Sequence, residues 1–582
     1  MASQKYEPML NLALDSNNEE RVLSESLDVG YNEVNNTWTV IARYSGSIEF
    51  LKDYNIDIEY LEGYYAILRV PDIMLRRLSE FQEIIYVEMP KKLYVNISNA
   101  ISASCISPLT DVDFPDGGLT GEGVLCGVID SGIDIFHSAF RNNDGSTRIL
   151  EIWDQTIEGK PPAGYFSGSV FNEEDINKIL QEKENGNRNV QIPARDVSGH
   201  GTHVAGIMAG NFAQNKDNSI GIATQSKLVV VKLNTNTGNG FPSTIELMEA
   251  INYVYQAAVR YRMPVSINIS FGNSYGSHDG TSLLETYIDN ISKLWKMCIC
   301  IGAGNEGASA GHSHEIFKTG EAKRVSFNVG NYERTINIQI WKGYEDEFDF
   351  YIYPPGGIDN YKISNSIGAS NVTLGHNKVL IYYGEPSPYS RFQEIYIEII
   401  PFYKGEQYIT SGIWSIVAIA SKAVTGRLDM WLPDAAILSE ATGFTNPSPE
   451  TTLTIPSTTT AAISVGGYDA QAFSYADFSG RGFTRMTNQV KPDLVAPAVN
   501  IISAAPGGGL TTKSGTSMAC PFVSGSAALL MEWGIVRGND AYLYGEKVKA
   551  YLVRGARPLQ GEPQPSERQG WGRLCLYDSF PR

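Results

Sequence analysis

One stretch near the C-terminal end constrains this chain more than any other. Ser514-Gly515-Thr516-Ser517-Met518-Ala519-Cys520-Pro521 runs directly into Phe522-Val523-Ser524-Gly525-Ser526-Ala527-Ala528-Leu529-Leu530-Met531. Small and apolar residues without a charge over this length predict a buried helix. Ser517 then falls at the helix N-terminus, where free backbone N–H groups and the positive end of the helix dipole favour an oxyanion. Serine and threonine are also common helix caps, so this stretch alone does not separate a nucleophile from a cap.

Two further stretches separate them. Val128-Ile129-Asp130-Ser131-Gly132-Ile133-Asp134 places an aspartate at the end of a strand-like apolar run. Gly199-His200-Gly201-Thr202-His203-Val204-Ala205-Gly206 sets a histidine between glycines at the start of an apolar helix. A serine hydroxyl is a poor nucleophile unless a base lies within hydrogen-bond reach. A histidine can be that base, and a buried aspartate can fix its tautomer. The chain order Asp, His, Ser is that of subtilisins, and the three segments together resemble the signatures of subtilisin-like serine proteases.

The resemblance implies that Asp130, His200 and Ser517 form a catalytic triad. It also implies that Asn305, in Ala303-Gly304-Asn305-Glu306-Gly307, completes the oxyanion hole with its side-chain amide. The substrate cleft of such proteases pairs with a peptide backbone as an added strand. One edge would be the loop holding Thr237 and Gly238, and the other Ser270-Phe271-Gly272, with Ala303 and Gly304 beside them. His203, on the same helix as His200, is expected to pack or hydrogen-bond. Two departures from the family pattern stand out. Ala139 occupies a position where many subtilases carry a calcium-ligating aspartate, and the loop around residues 215–220 keeps only part of that pattern, so no metal or other cofactor is expected. Phe522 replaces the histidine usual after the proline of the serine segment.

Apolar strand-like runs at residues 124–129, 228–233, 265–272 and 297–302 alternate with helical patterns. Within residues 242–260, Ile245, Met248, Ile251, Val254, Tyr255 and Ala258 share one helical face. The alternation predicts an α/β fold, a subtilisin-like parallel sheet with helices on both faces. Open sheets of this kind carry their sites beyond the carboxyl ends of the strands, which suits Asp130, Ser270 and Asn305.

The rest of the chain frames that core. Residues 38–87 carry a β-α-β-β-α-β pattern like the ferredoxin-like α+β propeptide of subtilases, with a separate binding domain as the alternative. Residues 1–96 are therefore expected to form a propeptide acting as chaperone and inhibitor. Its extended tail would thread the cleft, with the scissile bond near Asn96. Residues 97–310 and 451–582 read as two parts of the catalytic domain. Between them, residues 311–450 carry successive β-runs and no helical period, which predicts an inserted all-β jelly roll or sandwich. That segment shows no cluster of catalytic residue types and is read as a brace or recognition module.

At 582 residues the chain exceeds one ordinary domain. Its formal net charge of −18, without a long basic run, argues against nucleic acid as a partner. The N-terminal stretch has no apolar core of a secretory signal. No run approaches about 18 uninterrupted apolar residues, so no membrane partner is expected. The six cysteines are scattered, and they are expected to be reduced, with synthesis inside the cell. Propeptide, missing signal and large β insertion together resemble the Csp germination proteases of clostridia. That resemblance implies autoprocessing, a hydrolase zymogen as protein substrate, and packaging in the spore. A general-purpose subtilase of a gut bacterium and a ligand-sensing pseudoprotease are the competing expectations. The intact Asp130, His200, Ser517 and Asn305 argue against the pseudoprotease.

Overall fold

The computed structural model describes residues 5–6, 10, 14, 31–32, 35–61, 64–88, 103–110, 118–165, 167–187, 190–212, 221–234, 242–294, 296–357, 360–386, 390–402 and 407–581. The chain divides into two compact units, Met1–Val95 and Asn96–Arg582.

The first unit is a small antiparallel sheet with its helical segments in the predicted sequence positions. Besides the two-residue strand Tyr31–Asn32, its strands run Thr37–Tyr44, Asp57–Leu61, Tyr65–Pro71 and Ile84–Glu88. The first of these lies between the last and the third, and the third pairs with the second. Such an order, with every pair antiparallel, is that of a ferredoxin-like module. Strand alternation sends Trp38, Val40 and Ala42 to one face, where they are buried with Leu51, Leu68 and Leu75. The helical segment after the first strand is a short 3-10 turn, Glu49–Tyr54, closed by Asn55 in the left-handed region at φ 59°.

The second unit is built on a nine-stranded sheet. From one edge the order is Ser474–Tyr475, Ile463–Asp469, Met297–Gly302, Val265–Ile269, Leu125–Asp130, Lys227–Lys232, Ile149–Asp154 and Ser169–Asn172, with Leu494–Pro497 also paired to Ile463–Asp469. The pairing is parallel except at the two terminal strands, Ser474–Tyr475 and Ser169–Asn172. Both faces are covered, so the central strands are apolar without alternation. Cys126, Val128, Leu228, Val230, Cys298 and Cys300 point into one core with the helices His200–Ala209 and Thr516–Met531. Leu125, Ile129, Val229, Val231, Ile299 and Ile301 point into the other with Thr244–Tyr261 and Leu283–Ile291. The segment Thr516–Val536 is long and apolar enough to cross a membrane, yet 83% of its most apolar window is buried inside the protein, as a core helix requires.

Between the strand Met297–Gly302 and the strand Ile463–Asp469 lies the extra β domain. Six antiparallel strands, His312–Ile316, Arg427–Trp431, Ile336–Gly343, Phe392–Pro401, Asn377–Tyr383 and Gly368–Leu374, form one sheet in that order. A second sheet orders Tyr361–Lys362, Glu347–Tyr353, Gly412–Lys422, Ala322–Val329 and Gly443–Phe444. Ile338, Ile340, Phe348, Phe350, Ile397, Trp414 and Ile416 share one buried core.

One expectation is overturned. The cysteines are not all reduced: Cys105 and Cys575 form a disulfide across 470 residues of sequence, with their Cα atoms 4.8 Å apart. Leu576 N–H donates to the Ser104 carbonyl at 2.9 Å and Arg573 Nη1 to the Ala103 carbonyl at 3.1 Å, which brings the two cysteines together. The other four, Cys126, Cys298, Cys300 and Cys520, are free and buried.

Candidate active site

The sheet register sets the site. Ile129, Ile269 and Ile301 are neighbours across three parallel strands. Asp130, Ser270 and the segment reaching Asn305 therefore emerge together at the carboxyl edge of the sheet, where these three central strands end. The helix carrying Ser517 begins at Thr516, against that edge.

Asp130 is fully buried, and its Oδ1 lies 2.7 Å from His200 Nδ1. The same oxygen accepts from Ser131 N–H at 2.7 Å. His200 is the first residue of its helix, and Gly199 before it turns in the left-handed region at φ 68°. Burial of the imidazole opposes its charging, but the Asp130 carboxylate and its hydrogen bond outweigh that, so the His200 pKa stands above its ordinary value. Lys513 pulls it down and Asp196 pushes it up. Nδ1 bears the proton directed at Asp130, which leaves Nε2 as the free base.

Ser517 is the second residue of its helix, and its Oγ donates to the Ser270 carbonyl at 3.4 Å. Ser270 Oγ in turn donates to the Ser517 carbonyl at 3.3 Å. Asn305 is oriented by its neighbour: its Oδ1 accepts from Thr516 N–H at 3.0 Å and Thr516 Oγ at 3.3 Å. Its Nδ2 is thereby the end left to donate to a ligand. Gly304 N–H donates to Thr516 Oγ at 3.1 Å and ties the loop of Ala303 and Gly304 to the serine helix.

Phe271 stands beside His200, with ring centroids 6.1 Å apart and edge-to-face at 63°. Gly272 follows it and is exposed. Thr237, Gly238, Asn96 and residues 215–220 lie outside the described residues. His203 is fully buried and hydrogen-bonds through Nε2 to the carbonyls of Ile501 at 3.0 Å and Thr511 at 3.2 Å. Burial pushes its pKa down to about 4, so it is neutral and structural. Among the described residues no group of three or more His, Cys, Asp or Glu side chains could hold a metal ion.

Sequence reasoning missed Thr516 and also Asp196, Ser131 and Ser198, which hold the start of the His200 helix. A polar Asp-x-Ser-Gly segment just before an apolar helix is a capping signal and could have pointed to Asp196.

Fold and site together are those of the subtilisin-type serine peptidases. Residues 121–396 and 410–572 match the subtilase family, and the chain belongs to it. More particularly, residues 4–91 match the Csp protease B prodomain. The solved structure of the CspB protease of Clostridium perfringens is 36% identical, with a TM-score of 0.74, over 83% of this chain and 96% of that one. The minor extracellular protease Vpr of Bacillus subtilis is 22% identical over 541 residues, 86% of this chain and 59% of Vpr. The PII-type proteinase of Lactococcus lactis subsp. cremoris is 22% identical over 533 residues, 84% of this chain and 26% of that protein. The chain thus spans only part of the length of these two curated relatives.

Proposed function

We propose that this chain is a serine endopeptidase that cuts itself near Asn96 and then activates a hydrolase zymogen by limited proteolysis. The observation that carries the reading is the 2.7 Å pairing of buried Asp130 with His200 at the carboxyl ends of the central strands, where Ser517 opens a buried helix. His200 Nε2 takes the Ser517 proton as Oγ attacks the scissile carbonyl, and later gives it to the leaving amine. Asp130 holds the Nδ1–H tautomer and stabilises the imidazolium. The Asn305 amide and the Ser517 N–H receive the oxyanion, where one donor in such a hole accounts for about 10²–10³ in kcat.

The matched prodomain supports self-processing, and the likeness to a CspB protease supports a germination role, with a cortex-lytic hydrolase precursor as substrate and packaging in the spore. Cleavage near Asn96 is intramolecular, because a tethered segment has a high effective concentration. The test is direct. A fluorophosphonate should label Ser517 alone, and Ser517→Ala should purify as one uncut chain from a protease-deficient host. Labelling or cleavage at the same bond in Ser517→Ala overturns the reading. The substrate is tested by incubating purified cortex-lytic zymogen with wild type. One discrete cut is expected, and an intact zymogen rejects this substrate.

A further inference from the structure

The start of the His200 helix has an unusual debt of hydrogen bonds. Its cap residue, Gly199, has no side chain to offer the free N–H groups of the first turn. A carboxylate from the preceding loop takes that place. Asp196 is 5% exposed. Its Oδ1 accepts from Gly199 N–H at 2.9 Å and its Oδ2 from Thr202 N–H at 2.8 Å. Oδ1 also accepts from Ser131 Oγ at 2.9 Å and from Ser198 Oγ at 3.2 Å.

These two hydroxyls extend the carboxylate's reach. Ser131 Oγ accepts from Gly201 N–H at 3.0 Å, and Ser198 Oγ from His200 N–H at 3.1 Å. The N–H groups of Gly199, His200, Gly201 and Thr202 therefore all end on Asp196, directly or through one hydroxyl. Ser131 is also the residue after Asp130, and its own N–H is bonded to Asp130 Oδ1. Asp130 and His200 come from segments far apart in sequence, and the loops of both are fastened to one buried carboxylate.

We infer that Asp196 is a positioning residue that fixes the distance between Asp130 and His200. The inference rests on the proposed triad. A carboxylate that only capped a helix would bind N–H groups of that helix. This one also grips the residue next to Asp130, so losing it loosens both sides of a 2.7 Å contact. Among the described residues, the charged groups that act on His200 are Asp130, Asp196 and Lys513. Asp130 and Asp196 favour the imidazolium, Lys513 on the hairpin before Ser517 disfavours it, and His203 is neutral. Lys513 Nζ donates to the Ser198 carbonyl at 3.4 Å, so it contacts the loop that carries Asp196. Removing the Asp196 charge leaves Lys513 less opposed.

The experiment uses the full chain and measures the rate of fluorophosphonate labelling of Ser517 against pH. Asp196→Asn should slow labelling about 10–100-fold, in line with the cost of misplacing a catalytic group by an ångström or less. It should also move the acid midpoint of the profile to lower pH. A role confined to helix stability would lower the melting temperature and leave that midpoint in place. A folded Asp196→Asn with wild-type rate and midpoint overturns the inference. Should Asp196→Asn fail to fold, Ser131→Ala decides. It keeps the carboxylate and removes the hydroxyl that joins the Asp130 side to Asp196 and accepts from Gly201 N–H, and labelling about 5–10-fold slower in a folded protein is expected. A wild-type rate in Ser131→Ala overturns the inference. Labelling that survives in Ser517→Ala sinks the triad instead, which keeps the two failures distinct.

Discussion

Gly201 packs over Asp130 with no room for a side chain: a Cβ there would stand 3.0 Å from Asp130 Oδ1 and 2.1 Å from the Gly132 carbonyl oxygen. Both obstacles belong to the strand end and turn that carry the acid, and backbone cannot swing aside. The His200 helix can approach Asp130 only because this position is glycine.

Gly201→Ala should therefore push the helix start away and cost at least about 10² in the labelling rate of Ser517, since small displacements of catalytic groups have that effect. Rapid labelling of a folded Gly201→Ala, followed by intact-mass spectrometry, would show that the helix tolerates the shift.

The pH dependence follows from His200. In the proposed triad its neutral form is the base, and its folded pKa lies above the ordinary value of about 6.5. Activity should fall as the pH drops through that raised pKa. The stability contribution runs the other way: it is fully present below the unfolded value and is lost as pH rises through the folded one. Asp130→Asn removes the partner, so the acid limb of kcat/KM should move to lower pH while kcat falls about 10⁴-fold. An unmoved limb would mean that another group controls the profile.

His203 behaves oppositely. It is neutral when folded, with a pKa near 4, so the fold is destabilised as pH falls from about 6.5 towards 4. The loss reaches about 3 kcal/mol at full protonation. His203→Gln keeps a donor for the Ile501 carbonyl and should flatten that part of the stability–pH curve in urea titrations. A curve parallel to wild type would contradict the assignment.

These residues show what was legible in the sequence. Asp130, His200 and Ser517 each stand at the end of an apolar run with glycines or small residues alongside, and such local patterns survive into the structure. The central strands were legible because burial on both faces leaves them uniformly apolar. In the extra β domain, the edge strands of both sheets are hard to read from sequence: Tyr361–Lys362 and Gly443–Phe444 are two residues long, and His312–Ile316 and Gly368–Leu374 lack an apolar run. Their residues are polar or exposed at alternate positions and carry little hydrophobic signal. Asp196 is legible only as a cap of the His200 helix, and its hold on the Asp130 side exists once folding places Ser131 beside it. The Cys105–Cys575 bridge depends on a meeting of segments 470 residues apart, which no local pattern encodes.

That bridge closes almost the whole second unit into a loop. Cys575→Ser should destabilise it by about 2–5 kcal/mol, the usual effect of losing a native disulfide. Wild type should show a similar drop in melting temperature under reductant, and Cys575→Ser should show none. Equal melting temperatures in all four samples would mean that the local hydrogen bonds hold these segments without it.

A buried charge cluster joins the extra β domain to the part of the chain that carries the parallel sheet. Arg485, fully buried, belongs to the catalytic part, as do Asp279 and His278. Its Nη2 lies 3.6 Å from Asp279 Oδ2 and its Nη1 3.6 Å from Asp429 Oδ2, the latter on the inserted strand Arg427–Trp431. Its Nε donates to the Ser277 carbonyl at 2.9 Å, and its guanidinium sits 4.3 Å from the ring centre of Phe392. Burial raises the Asp429 pKa, but bonds from His312 and Arg427 outweigh it and hold this carboxyl far below the usual range. Trp431 is stacked between His278 at 4.3 Å and His312 at 4.5 Å, so aromatic contact crosses the same joint. Arg485→Met keeps much of the stem and deletes the charge, leaving two buried carboxylates short of a partner. Breaking a buried pair from one side costs about 3–5 kcal/mol, whereas removing both charges is far milder. Arg485→Met should lose that much stability in urea unfolding, and Arg485→Met with Asp279→Asn should recover part of it. Ser517 labelling of the folded protein should stay near wild type, because the joint braces the sheet and does not touch the reacting atoms. A loss below about 1 kcal/mol in Arg485→Met would move the bracing from this charge cluster to the aromatic stack.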